Sequence, residues 1–290
     1  MPSPHSTTGV LSFGYVAPNA TAHARLDMAT FWIEVGLASG FEIMVTEHAS
    51  YEALTRAFIG GEIDFAWLPP IPFVALERRK GAVPLVTHHR DGSSHFHSVI
   101  VAHRAAGMKT PADLVGKRAA WVDKYSASGY VLPRIELAKL GIDPKTAFST
   151  ERFYHSHSAT VRAVLERRAD FAGTWIGRDA AGAIVRAPWQ DMVGGEAVRI
   201  IQTFGIVPSD TIAARPTLAV GDAEKVRKAL IATAKTLPDL VRDLFGVDDF
   251  RPWTSEGYEL LHTTTAQASN DGLLEGVEKG DRSSGRLNRA

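Results

Sequence analysis

Ser50-Tyr51-Glu52-Ala53-Leu54 leads through Ala57 to Asp64-Phe65-Ala66-Trp67, and 106 residues later Ser156-His157-Ser158-Ala159-Thr160 leads through Ala163 to Asp170-Phe171-Ala172-Gly173. The correspondence extends upstream. There Leu11-Ser12-Phe13-Gly14-Tyr15, followed by Pro18-Asn19-Ala20-Thr21, lies opposite Arg118-Ala119-Ala120-Trp121-Val122, followed by Lys124-Tyr125-Ser126-Ala127-Ser128. Each copy reads as strand, polar loop, helix, strand, polar residue, helix and short buried strand, which predicts two related α/β lobes built on mostly parallel sheets flanked by helices.

The bulk numbers permit this. A chain of 290 residues with 45% hydrophobic residues can bury two cores. Its 32 basic and 32 acidic residues cancel without long runs of either sign, so neither a nucleic-acid surface nor a polybasic membrane anchor is expected. Cysteine is absent, which excludes disulfides, Cys-ligated zinc and thiol catalysis. No apolar run approaches the length of a membrane span.

Along the chain, Asn19 or Thr21 is placed to cap a helix through Ser39 that Gly40 stops, with Leu26, Ala29, Phe31, Ile33 and Leu37 on its apolar face. Strand 41–45, helix Tyr51 to Gly60, strand Ile63 to Trp67, helix Pro72 to Arg79 and strand Val83 to His89 follow. Ser98 to Ala102 is the expected crossing into the second lobe, and Val198 to Phe204 the return. Between them come strand Arg118 to Asp123, helix Gly129 to Leu140, strand 153–157 and helix Val161 to Arg167. The spacing of Val226, Leu230, Ala234, Leu237, Val241 and Leu244 predicts one or two amphipathic helices packing on the first lobe. The expected division is 9–98 plus 206–265 for lobe one, 99–205 for lobe two, and 266–290 as a loosely held polar tail.

Two lobes of one kind enclose a cleft. Asn19, Thr21, Tyr51, Ser126, Ser128 and His157, all near helix starts, would face it with unpaired backbone N–H groups behind them, and such groups attract anions. In Asp123-Lys124-Tyr125-Ser126-Ala127-Ser128-Gly129-Tyr130, two hydroxyls and several N–H groups can wrap a tetrahedral oxyanion, and Gly129 lets the backbone come close. The plainer alternative is that Ser126 or Ser128 caps the helix, which accounts for one serine and not for both.

The ordered series Tyr51-Glu52-Ala53-Leu54, Gly61-Glu62-Ile63-Asp64-Phe65-Ala66-Trp67, Asp113-Leu114-Val115-Gly116-Lys117-Arg118, Ser126-Ala127-Ser128-Gly129-Tyr130, Phe153-Tyr154-His155-Ser156-His157 and Pro208-Ser209-Asp210 resembles the substrate-binding proteins of phosphonate, phosphite and phosphate ABC transporters. The resemblance covers about residues 10 to 250. It implies a type II periplasmic-binding-protein fold that closes on its ligand by hinge motion, with no cofactor, no metal and no chemistry performed. It implies a small anionic ligand, an ABC permease as partner, and a monomer. Ser126 and Ser128, with Ala127 between them, would fix the oxyanion; Tyr51 and His157 would grip it; His97, with Phe96 as fallback, Trp175 and Asp210 would select its substituent.

This sequence departs from the family at four places. Ala127 replaces a hydroxyl residue, His155 replaces the usual glycine before the Ser-His pair, Ser158 replaces an acid, and Gly177 stands near the position where aminoalkylphosphonate binders carry an acid for the ligand's ammonium. These changes argue against a 2-aminoethyl substituent, and Trp175 points to an apolar or aromatic one. His95-Phe96-His97 and His155-Ser156-His157 also allow a metal-binding protein, because an extended His-x-His pair turns two imidazoles to one face, but no nearby carboxylate completes either set. Two further alternatives are a cytosolic ligand-sensing domain using the same cleft and, last, a pyrimidine-synthase-like enzyme, for which no nucleophile, base and acid set is present. The resemblance implies a periplasmic location, whereas Met1 to Gly9 reads as no export signal, which leaves a cytoplasmic location or a trimmed precursor.

Overall fold

A computed structural model describes residues 9–17, 20–179, 181–255 and 257–270. In chain order the elements are β1 (Val10–Val16), α1 (Ala22–Ser39), β2 (Glu42–His48), α2 (Tyr51–Gly60), β3 (Phe65–Leu68), α3 (Pro70–Glu77), β4 (Val83–His89), β5 (His95–His103), β6 (Arg118–Trp121), α4 (Leu132–Lys139), β7 (Thr150–Phe153), α5 (His157–Leu165), β8 (Phe171–Arg178), β9 (Ile184–Arg186), β10 (Val198–Pro208), β11 (Thr211–Ala214), α6 (Val220–Thr236), α7 (Pro238–Phe245), β12 (Asp249–Pro252) and α8 (Tyr258–Asn270). They form two compact units. The first takes the described residues through His95 together with 208–255, and the second takes 96–207 together with 257–270. The expected polar tail beyond residue 270 lies outside the described residues.

The first unit is built on a sheet of order β12-β4-β11-β3-β1-β2. β1 pairs in parallel with β2 and β3. β11 runs against both β3 and β4, so β1 to β4 share one direction, and β12 also opposes β4. The strand and helix alternation therefore predicts the four parallel strands correctly, and two later strands make the sheet mixed. One core contains Phe13, Phe31, Trp32, Val35, Phe65, Val226, Leu230, Val241 and Phe250. Thr21 caps α1 through Oγ1 and Gly40 ends it at φ 79°; Asn19, the other expected cap, lies outside the described residues. The buried stripe of α1 is Met28, Phe31, Trp32 and Val35, spaced i, i+3, i+4, i+7, whereas Leu26, Ile33 and Leu37 of the expected face are 64%, 60% and 75% exposed. Both sides of this helix are apolar, so the expected face shares only Phe31 with the buried stripe.

The second unit has a sheet of order β10-β5-β8-β6-β7, with β9 paired to β8. β6 is parallel to β7 and β8, while β5 and β9 are antiparallel to β8.

The sequence repeat is a repeat of register. Ser12 pairs with Met44 and Phe13 with Phe65 in the first unit; Arg118 pairs with Thr150 and Ala119 with Phe171 in the second, each 106 residues on. One polar residue does the same work in both copies. Asp64 accepts from the Ser12 N–H at 2.8 Å and donates its own N–H to Ser12 O at 2.9 Å; Asp170 does both to Arg118 at the same two distances. Ser50 Oγ and Ser156 Oγ cap α2 and α5 by accepting from Ala53 N and Ala159 N. Even the backbone turn after each helix is shared: Gly61 sits at φ 75° and Arg167, its counterpart, at φ 60°.

Candidate functional site

In each unit the candidate residues gather where the parallel strands end, the edge at which open α/β sheets bind ligands. In the second unit the serine loop leaves β6, His157 opens α5 just after β7, and Trp175 lies in the second half of β8. In the first unit Tyr51 opens α2 after β2, and Asp210 precedes β11 beside the end of β3, where Thr211 pairs with Leu68.

The serine loop is shaped by Pro133 and two glycines. The expected helix from Gly129 starts instead as a π-helical turn over Ala127–Val131, with Val131 N–H donating to Ser126 O at 3.0 Å. Tyr130 N–H donates to the same Ser126 carbonyl at 3.1 Å, and Gly129 O, to which Pro133 has no N–H to offer, accepts from Val122 N–H. A Cβ on Gly129 would collide with Val122, and one on Gly173 would fall 2.8 Å from Gly129 O. The loop therefore lies directly on β8.

Ser126 does cap, its Oγ accepting from Gly129 N–H at 3.1 Å, yet its hydroxyl proton is left to donate. Ser128 is buried, and its carbonyl accepts from the buried Ser98 Oγ at 2.9 Å, which ties the loop to β5. Ala127 is buried and offers only backbone. Asp123 braces the loop start, Oδ1 accepting from Tyr125 N–H at 2.7 Å, and burial raises its pKa. Behind the loop, Glu151 Oε2 accepts from Trp121 Nε1 at 2.7 Å and from Arg134 Nη1, while the Arg134 guanidinium lies over the Tyr130 ring at 5.0 Å.

His157 Nδ1 lies 3.1 Å from the hydroxyl of fully buried Thr174. When that hydroxyl donates to Nδ1, the neutral ring carries its proton on Nε2, where it can be offered to an anion. Loss of water around the ring lowers its pKa to about 4. Trp175 meets His157 edge to face at 6.3 Å and Phe96 at 6.1 Å, and carries the Arg186 guanidinium 5.6 Å from its ring centre.

Strand register separates Phe96 from His97. Ser98 pairs with Trp175 and His97 with Ile176, so Phe96, Ser98, Gly173 and Trp175 share the face that bears the serine loop, and His97 is on the other with Thr174 and Ile176. His155 lies at φ 63°, the conformation that favours the glycine it replaces, so His155 and His157 do not form an extended pair. Among the described residues no group of three or more His, Asp or Glu side chains could hold a metal ion.

In the first unit, Asp210 Oδ2 accepts from Trp67 Nε1 at 2.9 Å, and burial raises its carboxyl pKa. Trp67 in turn packs at 5.2 Å from His88, a fully buried imidazole whose pKa burial also lowers. Thr174, Glu151 and Arg186 were not anticipated as parts of the site. Alternation on β8 could have drawn attention to Thr174 beside Trp175; nothing local marks the other two.

Residues 17–258 match the model of a family described as ABC transporter, phosphonate, periplasmic substrate-binding protein. Among solved structures, XAC2383 from Xanthomonas citri bound to chloride ion is similar with a TM-score of 0.76 at 18% identity, over 91% of this chain and 100% of that one. PhnD1 from Prochlorococcus marinus in complex with methylphosphonate gives 0.70 at 16%, over 90% and 98%. A binding protein component of an ABC phosphonate transporter from Pseudomonas aeruginosa gives 0.68 at 16%, over 93% and 95%. At these identities the solved structures establish the fold, that of type II periplasmic binding proteins, and the family match spans most of the sequence: the chain belongs to the periplasmic substrate-binding proteins of phosphonate ABC transporters.

Proposed function

We propose that the protein is a non-catalytic solute-binding protein that holds a small phosphorus oxyanion for uptake through an ABC permease. The observation that carries this reading is the serine loop: a π-helical turn seated on β8, bearing Ser126 and Ser128 with His157 close by at the end of the same sheet. Loop N–H groups and the two hydroxyls take the oxygens, the Nε2 proton of His157 meets one of them, and Tyr51 of the first unit supplies a further donor. Asp210, its pKa raised by burial, accepts a hydrogen bond from a protonated oxygen of the ligand.

Catalysis finds little support in this arrangement. The hydroxyl beside His157 belongs to Thr174, which is fully buried and so poorly placed to attack a substrate. The balanced charge gives no reason to expect nucleic acid as a partner, and the protein acts as a monomer in this reading.

A thermal-shift screen of phosphate, phosphite, alkyl, aminoalkyl and aryl phosphonates, sulfonates and small carboxylates tests the proposal. A ligand at one hundred times its dissociation constant adds about 2.7 kcal/mol of stability, an easily measured rise in midpoint. At least one phosphorus oxyanion is expected to give that rise, and Ser126→Ala and His157→Ala each to abolish most of it. If both variants kept the full shift, the site would be wrongly placed.

A further inference from the structure

We infer that Thr174 is a positioning residue of the oxyanion site: its buried hydroxyl holds the His157 ring in the tautomer that carries the proton on Nε2, so the ring meets the ligand as a hydrogen-bond donor and not as an acceptor. This rests on the oxyanion reading above and adds that the ligand oxygen facing His157 is an unprotonated one.

All the residues involved belong to the second unit. β8 lies between β5 and β6 in its sheet, and Thr174 pairs there with Val99, so the threonine stands on an interior strand. Gly173 and Thr174 are neighbours that face opposite ways. The serine loop packs over Gly173, while Thr174 reaches the first residue of α5, the helix that also packs through Val161 and Val164 with Ala172 and Ile176 of β8. Two consecutive residues of one strand thus set both the loop and the histidine, and placement on a rigid strand keeps the two in fixed relation. Trp175 meets the imidazole edge to face, so the ring is held from a second side.

The tautomer follows from which buried groups are satisfied. Thr174 Oγ1 and His157 Nδ1 are 3.1 Å apart, and among the described residues neither has another hydrogen-bond partner. Burial lowers the pKa of the ring to about 4 with no charged group contributing, so in the free protein the ring is neutral at neutral pH. A neutral ring allows two arrangements. In one, the hydroxyl donates to Nδ1 and the ring proton sits on Nε2. In the other, Nδ1–H donates to the hydroxyl, whose own proton is left without an acceptor on a fully buried residue. A buried donor left unmade costs more than a typical hydrogen bond contributes, so the first arrangement dominates.

Heteronuclear NMR of the imidazole nitrogens at pH 8 reads the tautomer in the free protein, and calorimetry with methylphosphonate reads the site. Wild type is expected to hold His157 in the Nε2–H form by about ten to one or more. Thr174→Ser, which keeps the hydroxyl, is expected to keep that ratio and to bind within about threefold of wild type. Thr174→Val, which keeps the shape and removes the hydroxyl, is expected to bring the ratio below about three to one and to weaken binding about tenfold. An even mixture or the Nδ1–H form in wild type overturns the inference and leaves the oxyanion reading standing. So does equal weakening by Thr174→Ser and Thr174→Val, which would mean that only packing matters at this position. The wild-type spectrum and Thr174→Ser decide the matter even where Thr174→Val does not fold. A wild type that shows the expected tautomer but binds no phosphonate removes the oxyanion reading, and the inference with it.

Discussion

At the scale of single residues, His157 carries most of the pH dependence expected of the site. Burial lowers its pKa from 6.5 to about 4, so the folded protein resists the proton that the unfolded chain accepts. The resulting stability is complete above pH 6.5 and is lost as pH falls toward 4, at up to about 1.4 kcal/mol per pH unit for one site. His88, buried and shifted the same way, adds to the slope. An oxyanion beside the ring reverses the sign, because it favours imidazolium. NMR titration is expected to find His157 titrating below pH 5 in the free protein and well above that with phosphonate bound; an ordinary value in both states would contradict this. Residue roles that depend on local chemistry were legible in the sequence, as with the caps Thr21 and Ser126. The Trp67 to Asp210 bond joins residues 143 positions apart, and no local signal announces it.

At the scale of elements, the two copies differ in how deeply each anchors the same bond. Asp64 is nearly buried, holds Ser12 through backbone and hydroxyl, and also accepts from Arg215 Nε at 2.8 Å. Its counterpart Asp170 is more open and pairs with Arg118. Asp64→Ala is expected to cost about 2 to 3 kcal/mol, by leaving buried donors unsatisfied, and Asp170→Ala about 1 kcal/mol or less, as for a solvent-screened pair. Urea unfolding of the two variants checks the order, and equal losses would mean that burial does not decide it. The repeat was legible because each copy forms its own strand, helix and strand from neighbouring residues. The insertion of β11 between β3 and β4 was not, since its partners come from more than a hundred residues earlier. The π-helical start of the serine loop was not legible for a different reason: the Ser126 carbonyl accepts from both Tyr130 and Val131 N–H, and no local pattern tells the two closures apart.

At the scale of the whole molecule, the ligand is proposed to draw on both units, with Tyr51 from one and the serine loop and His157 from the other. The fold was legible because the duplicated register, the helix caps and the motif series agree. The surroundings of Trp175 were only partly legible. Trp175 was singled out beside the Gly177 departure, whereas Arg186 reaches its ring through a three-residue strand whose pairing the local pattern does not specify. Equilibrium titration of the purified chain with a phosphonate, beside Tyr51→Phe and His157→Ala, tests the central claim most directly. The expected result is saturable one-to-one binding that each substitution weakens at least tenfold. Absence of phosphonate binding at millimolar concentration, or binding that neither substitution alters, would contradict it.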